Sequence, residues 1–596
     1  MGKRRVLLIG LDGLVPGMVE QFRRDTPHTD RLMREGVFAR ALPCMPTDTP
    51  TNWTTIATGA DTLRHGVAGF ARGPDGRILP YFDGNRCKAE FIWESLERAG
   101  RKAVLVNYPT AWPLRTEATT VVGGDGIFSP NWRIGDLILY STEAGGERRT
   151  SVALMDVCKT DVRIELREAS GWRGLPQSAR PPLEARVPSI ERTAASWSGD
   201  GFVVNTEAEA PVSGHYELLV TASNGDGYDT VRVCRDKDAG GALCVLRQGE
   251  WSDWIFQDFD TPDGRAGGSF KFKLIELSGD GHCLRLYRTM ADRTDGWTQP
   301  AGLARELVEK IGPYHEGWEN SPMQLAAELG VGTLLEHAAG QAEWLAGAAA
   351  HLAARGDWDL LMVQAHVQDS YNHRFMWKLE PLCADYDADA VDEALDLFRR
   401  VHVITDEMVG RIVRDCADEA TTVIVLSDHG CMPIHTAVCV EGILDGCVDA
   451  DDALAALAAA RDPRTGDNPF AILARREDLP SLGLAAEGGE VAHFLKGGYR
   501  GMPLPEDEDE RAKMLAEKAF FQPCTGATHH GLPTGAVGRY ENAGTFLAAG
   551  AGVAEGRELP HPVHLKDVTP TICHLLGVAP PRHSEGRILW EALAAP

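Results

Sequence analysis

Val6-Leu7-Leu8-Ile9-Gly10-Leu11-Asp12-Gly13 is the stretch whose reading decides the fold. It runs apolar without alternation, is rich in Val, Leu and Ile, and stops at a carboxylate. A strand with one wet face alternates apolar and polar residues. A strand covered on both faces does not, and parallel sheets cover both faces. Similar runs recur at 102–106, 360–363 and 422–426, each with polar or charged residues at or soon after its carboxyl end. Helical stretches lie between them, such as 336–354 with its Leu, Ala and Trp face. This order predicts an α/β fold with a mostly parallel central sheet flanked by helices. In such sheets chemistry gathers at the carboxyl ends of the strands.

Composition sets the surroundings of that core. The chain has 596 residues, enough for several domains or one large domain with insertions. Its formal net charge is −26, which argues against nucleic-acid polymers and membrane surfaces as partners, since both need clustered basic charge. Small anionic substrates stay open to it, because a bound metal can invert a local potential. The 13 cysteines are scattered without a Cys-x-x-Cys pair, so neither a disulfide framework nor a zinc ribbon is expected. The first apolar run is too short for a signal segment, and no stretch reaches the ~18 apolar residues of a membrane span. A soluble, cytoplasmic protein is expected. Nothing in the sequence indicates its oligomeric state.

The middle of the chain reads differently. Between about 137 and 294 helical periodicity fades, and short alternating segments appear at 216–221, 230–233, 269–277 and 283–287. Ser223-Asn224-Gly225-Asp226-Gly227 and Ser278-Gly279-Asp280-Gly281 are turn chemistry. A β-rich, sandwich-like insertion at 131–299 is expected, dividing a core of 1–130 and 300–596. Trp251, Trp254, Phe256, Phe270 and Phe272 are expected in its core. A smaller mixed insertion at 432–524 combines a helix at 452–460 with an acidic loop at 505–510.

Chemistry-bearing residues follow the core runs. Asp12 ends the first. Pro46-Thr47-Asp48-Thr49-Pro50-Thr51-Asn52-Trp53 comes next, then Thr58-Gly59 and His65-Gly66. Asp369 and His373 share one face of a helical turn. The run 422–426 leads into Ser427-Asp428-His429-Gly430, and Thr528-His529-His530-Gly531 comes late. Taken singly, these are as consistent with caps, solvated pairs and turns as with a site. Together, three carboxylates and three histidines suit two metal ions with mixed oxygen and nitrogen ligands. The lack of cysteine among them suits a catalytic rather than a structural site.

This ordered set resembles the alkaline phosphatase superfamily, and within it the type I phosphodiesterase/nucleotide pyrophosphatase family. The family's Pro-Thr-Lys-Thr-Phe-Pro-Asn stretch aligns without a gap on Pro46 to Asn52, which places its threonine nucleophile at Thr49. Its Asp-x-x-x-His falls on Asp369 and His373, its Asp-His-Gly on Asp428 to Gly430, and a late Thr-His on Thr528 and His529. Asp567-Val568-Thr569-Pro570-Thr571-Ile572 resembles the superfamily's closing helix. The resemblance implies a metal-dependent phosphoester hydrolase acting on a small-molecule phosphoester through a phospho-threonine intermediate. It places one ion on Asp12, Thr49, Asp428 and His429, and another on Asp369, His373 and His529. His530 is the alternative to His529. Two divalent ions are implied, zinc by analogy, with manganese compatible with the same donors.

The sequence departs from the family at one point. The family's Asn that donates to a nonbridging phosphate oxygen falls at Phe70, which cannot donate, so either another group does it, with Asn52 a candidate, or the substrate is held differently. Phosphonate and phosphomonoester hydrolysis share the same residue set. A sulfatase needs Cys-x-Pro-x-Arg, and Cys44-Met45-Pro46-Thr47-Asp48 lacks the Arg. A non-catalytic binding protein should have lost ligands, whereas all the positions are filled here.

Overall fold

The computed structural model describes residues 4–69, 84–124, 133–135, 137–143, 148–151, 158–190, 196–198, 201–203, 212–261, 264–314, 326–484 and 489–595. Phe70 lies outside them. The chain divides into two compact units, one of Met1–Phe70, Phe82–Gly124 and Ala338–Pro596, the other of Ala71–Tyr81 and Asp125–His337. Among the described residues no helix is long and apolar enough to cross a membrane.

The first unit is built on a sheet of β1 (Arg5–Leu11), β2 (Val37–Leu42), β3 (Ala103–Val106), β4 (Thr120–Val122), β5 (Leu360–Ala365), β6 (Thr421–Leu426) and β7 (Gly544–Gly550). Their spatial order is β4-β3-β5-β1-β6-β7-β2. The pairs from β4 to β6 are all parallel, but β7 runs antiparallel to both β6 and β2, so the sheet is mixed. β1 sits at the centre, with Val6, Leu7, Leu8 and Ile9 fully buried, as its unbroken apolar run requires. Each such side chain contributes roughly 1.5–3 kcal/mol by leaving water.

Register, more than sequence proximity, assembles the site. Leu11 pairs with Ala365 and Gly10 with Leu426, so Asp12, His366 and Asp428 leave the sheet at one level. Four helices matter here: α1 (Thr49–Thr58), α2 (Val367–Phe375), α3 (Val391–Cys416) and α4 (Val568–Leu576). Trp53 of α1 packs on β1 where Gly10 stands, and a Cβ on Gly10 would lie 2.2 Å from the indole. α4 is the expected closing helix, and the Thr569 hydroxyl donates to the Ile56 carbonyl of α1.

In the stretch 432–524, strand Met432–Val438 lies between Gly498–Gly501, parallel, and Phe521–Thr528, antiparallel. Met432 pairs with Thr528, which brings the residue after Thr528 beside His429. A helix is present at Ala450–Ala459. The acidic stretch 505–510 is not wholly loop. Asp507 caps a helix at Glu508–Glu517, accepting from the N–H groups of Asp509 and Glu510. Carboxylates in a first turn favour the helix, which is why this charge run folds.

In the second unit, sheets formed around Val212–Thr221, Gly264–Phe270 and Phe272–Leu277 share one core that includes Leu218, Val220, Phe259, Phe270, Phe272, Leu274 and Leu286. The expected single strand at 269–277 is broken at Lys271 into two strands belonging to different sheets. Phe270 and Phe272 are core residues, but Trp251 and Trp254 are half-buried and Phe256 is 52% exposed. Alternation gives which residues share a face of a strand, not which face is covered, so the aromatic character of Phe256 misled.

Candidate active site

Asp12, Asp369, Asp428, His373, His429 and His529, together with Thr49, come together at the carboxyl edge of the sheet. Asp12 follows β1, Asp428 and His429 follow β6, and Asp369 and His373 lie four apart on α2. Gly13, with φ of 67°, lets the chain turn away from the site, and a Cβ there would meet the Asp369 backbone at 2.9 Å.

Thr49 opens α1 and is buried. Its Oγ lies 2.9 Å from His429 Nε2. Nδ1 of the same ring lies 2.7 Å from the Gly430 carbonyl oxygen and must donate to it. Burial outweighs the carboxylates of Asp12 and Asp369 and pulls the pKa of His429 down. The ring is therefore neutral, with its lone pair on Nε2 facing Thr49. The same nitrogen is 3.2 Å from Asp428 Oδ2 and 3.4 Å from Asp12 Oδ1.

A second group forms around Asp369 Oδ1, which is 3.3 Å from His373 Nε2 and 3.8 Å from His529 Nδ1, with the two rings 3.1 Å apart at those nitrogens. His373 Nδ1 is tied to the Ala527 carbonyl at 3.0 Å, which directs its Nε2 inward. Burial and the neighbouring His429 and His530 drive the pKa of His529 well down, leaving its ring neutral. His530 stands apart: its side chain is 59% exposed, with Nδ1 2.5 Å from Asp48 Oδ1.

The electrostatics call for cations. Burial, together with Asp12 and Asp369, pushes the pKa of Asp428 well up. Burial also opposes ionisation of Asp369, yet His373, His366 and His529 hold its pKa well below the ordinary value. Asp12 Oδ1, Asp369 Oδ1, Asp428 Oδ2 and His529 Nε2 are buried without a hydrogen-bond partner. Such atoms are costly unless something charged meets them. Among the described residues, four sets of ligand atoms lie within 4.8 Å of one another: Asp12/Asp428/His429, Asp12/His366/Asp369, Asp369/His429/His529 and Asp48/His529/His530. The donor set, carboxylate oxygen with imidazole nitrogen, fits divalent cations.

Asn52 is committed elsewhere. Its amide donates to the carbonyls of Cys44, Pro46 and Asp48 and accepts from the Cys44 N–H, bracing the loop before Thr49. His65 is likewise occupied, with Nδ1 accepting from the Val67 N–H and Nε2 3.0 Å from the Thr55 hydroxyl. Three residues without a role in the sequence reading surround Asp12 Oδ2: Trp53 Nε1 at 2.8 Å, Gln364 Nε2 at 3.1 Å and His366 Nδ1 at 2.8 Å. Extending the apolar run at 360–363 by two residues, to the end of β5, would have placed His366 at the same edge as Asp12.

The profile of the type I phosphodiesterase/nucleotide pyrophosphatase family matches residues 6–169 and 306–500. The chain belongs to this family. It is accordingly a hydrolase of phosphoester bonds. The matched segments take in Asp12, Thr49, Asp369, His373, Asp428 and His429 and stop before His529. A comparison with curated proteins finds no match. Among solved structures, murine ectonucleotide pyrophosphatase/phosphodiesterase 5 in complex with AMP is 12% identical, covering 99% of this chain and 100% of that one, with a TM-score of 0.44. Wild-type alkaline phosphatase PafA is 11% identical over 100% of both chains, with a TM-score of 0.45. Phosphonoacetate hydrolase from Sinorhizobium meliloti 1021, bound to phosphonoacetate, is 12% identical over 97% of this chain and 96% of that one, with a TM-score of 0.44. The family assignment rests on the profile.

Proposed function

We propose that this family member hydrolyses phosphate diesters or nucleotide pyrophosphates, with Thr49 as nucleophile at a site for two divalent cations. The observation that carries the reading is the Thr49 hydroxyl 2.9 Å from His429 Nε2, inside a cluster of buried oxygens without hydrogen-bond partners. Asp12, Thr49, Asp428 and His429 would hold one cation, and Asp369, His373 and His529 the other. His529 is preferred to His530 because it is buried against Asp369 and His373, whereas His530 is turned toward Asp48 and solvent. Divalent cations, zinc in the first place, would supply a lowered hydroxyl pKa at Thr49 and fixed positive charge for phosphoryl oxygens.

The chain's own groups do the rest. Without a cation His429 Nε2 accepts from the Thr49 hydroxyl and orients it; with a cation held, that single lone pair would serve as its ligand, and the Thr49 hydroxyl, its pKa lowered, would give its proton to solvent. Thr49 Oγ forms a bond to phosphorus as the bond to the departing ester oxygen breaks. Water then cleaves the threonine–phosphoryl ester and restores the hydroxyl. The Gly430 and Ala527 carbonyls hold the His429 and His373 rings in the required tautomers. The amino end of α1 adds partial positive charge where the phosphoryl group would sit. Asn52 is assigned to the loop rather than to substrate. Residues 131–299 and 432–524 are read as insertions in the catalytic core.

A panel of phosphate diesters, monoesters, nucleotides, phosphonates and sulfate esters, with added zinc or manganese, tests the reading. Diester or pyrophosphate cleavage that chelation abolishes is expected. Sulfate ester cleavage without phosphate ester cleavage contradicts it, and a preference for phosphonates or monoesters moves the chain to another branch of the superfamily.

A further inference from the structure

We propose that His366 is a positioning residue that couples the two halves of the metal site, by holding one oxygen of a carboxylate from each half through a single imidazole. This rests on the two-cation reading above. Asp12 and Asp369 belong to different halves, and each divides its work between its two oxygens. Asp12 Oδ1 faces His429 at 3.4 Å and has no hydrogen-bond partner, while Oδ2 meets Trp53, Gln364 and, at 2.8 Å, His366 Nδ1. Asp369 Oδ1 faces His373 at 3.3 Å and also lacks a hydrogen-bond partner, while Oδ2 meets His366 Nε2 at 3.1 Å. In both cases the oxygen held by His366 is the one turned away from the ligand cluster, and the oxygen left over is the one a cation would take.

The ring is buried between β5 and α2, at the strand level that register gives to Asp12. An imidazole is rigid, and its two nitrogens point in fixed, divergent directions. With one carboxylate on each nitrogen, it sets how far apart the two carboxylates sit. An amide or hydroxyl in its place could satisfy one of them but would not fix both. Groups that orient metal-binding side chains from outside the ligand set typically matter by about 10- to 100-fold in metal affinity. What distinguishes His366 is that its loss reaches both halves at once.

The test uses metal-free full-length protein titrated with zinc and with manganese: wild type, His366→Ala, His366→Gln and, as a one-sided comparison, Gln364→Met. Stoichiometry and affinity are read at both sites, and magnetic coupling between paired manganese ions is read by electron paramagnetic resonance. Wild type is expected to bind two ions that are magnetically coupled. Both His366 variants should still bind two, each about 10- to 100-fold more weakly, with the coupling reduced, whereas Gln364→Met should weaken one site only. Unchanged affinities and coupling in the His366 variants overturn the proposal. Loss of one ion outright also overturns it, because His366 would then be a ligand. Wild type that fails to bind two ions contradicts the underlying two-cation reading instead. If neither His366 variant folds, a crystal structure of zinc-loaded wild type decides. His366 between Asp12 Oδ2 and Asp369 Oδ2, with no zinc on either ring nitrogen, is expected; zinc on the ring, or the ring turned away from either carboxylate, overturns the proposal.

Discussion

The hydroxyl of Thr49 meets Nε2 of His429 at 2.9 Å, although 380 residues separate them in the chain. The contact exists because α1 begins where the loop after β2 delivers Thr49, and because β6, one strand from the sheet centre, leads through Ser427 and Asp428 to His429. It marks Thr49, rather than Thr47 or Thr51, as the hydroxyl aimed into the cluster. The other two are engaged elsewhere: Thr47 donates to the His529 carbonyl, and the Thr51 hydroxyl accepts from the Gly69 N–H at 2.8 Å.

Thr49→Ala should therefore keep the fold and, with Asp12, Asp428 and His429 still in place, most of its metal, while turnover falls by about 10³-fold or more, as loss of a nucleophile does. Thr49→Ser keeps a hydroxyl and should retain a measurable fraction of the rate. Steady-state kinetics with parallel metal analysis checks this, and near-native turnover in Thr49→Ala would move the assignment to another residue.

Asp428→Ala should behave differently. Asp428 is fully buried, its Oδ2 has no hydrogen-bond partner, and the like charges of Asp12 and Asp369 face it. Its loss should lower metal content and activity together, while thermal unfolding of the metal-free protein should show little loss or a gain. Elemental analysis of the purified variant reads the first effect and calorimetry the second. Full metal occupancy in Asp428→Ala would contradict the ligand assignment.

Gly10→Ala tests the link from packing to site without touching a site residue. The new methyl would displace the Trp53 indole, at a cost of about 1–3 kcal/mol. Moving the indole also removes the N–H that Trp53 gives Asp12 Oδ2. Denaturant unfolding and turnover should both fall, and a variant with native values of both would show that this packing is not what holds Asp12.

In the second unit, Glu184 supplies a pH dependence that owes nothing to metal. It is buried, yet Lys237 Nζ and Trp172 Nε1, each 2.7 Å away, outweigh the effect of burial and hold its pKa at about 2, against an ordinary 4.5. Because the folded value lies below the unfolded one, the stabilisation is complete above pH 4.5 and fades as pH falls toward 2. It is on the order of 3 kcal/mol. Unfolding curves for wild type and Glu184→Gln should differ at pH 7 and converge near pH 2, and parallel curves throughout would contradict the charge assignment.

The central strands were legible in the sequence because continuous burial demands continuous apolar residues: the runs at 102–106, 360–363 and 422–426 became β3, β5 and β6. The reversed direction of β7 was not legible, since an apolar run carries no sign of which way its strand runs. Asp12, Asp369, Asp428 and His429 could be read because each sits at, or one turn beyond, a strand end. His366 was missed because the strand was ended at Val363, whereas it continues through Gln364 and Ala365. Asn52 was given to substrate because an amide's partners depend on loop geometry that spacing does not encode.

The most direct test of the central claim is to quench turnover of a phosphate diester in acid and locate the substrate's phosphoryl fragment by peptide mass spectrometry. The fragment is expected on Thr49, absent in Thr49→Ala, and lost when the enzyme is left to turn over its bound adduct at neutral pH before the quench. Turnover with no adduct on any residue, or an adduct on a residue other than Thr49, would contradict the account.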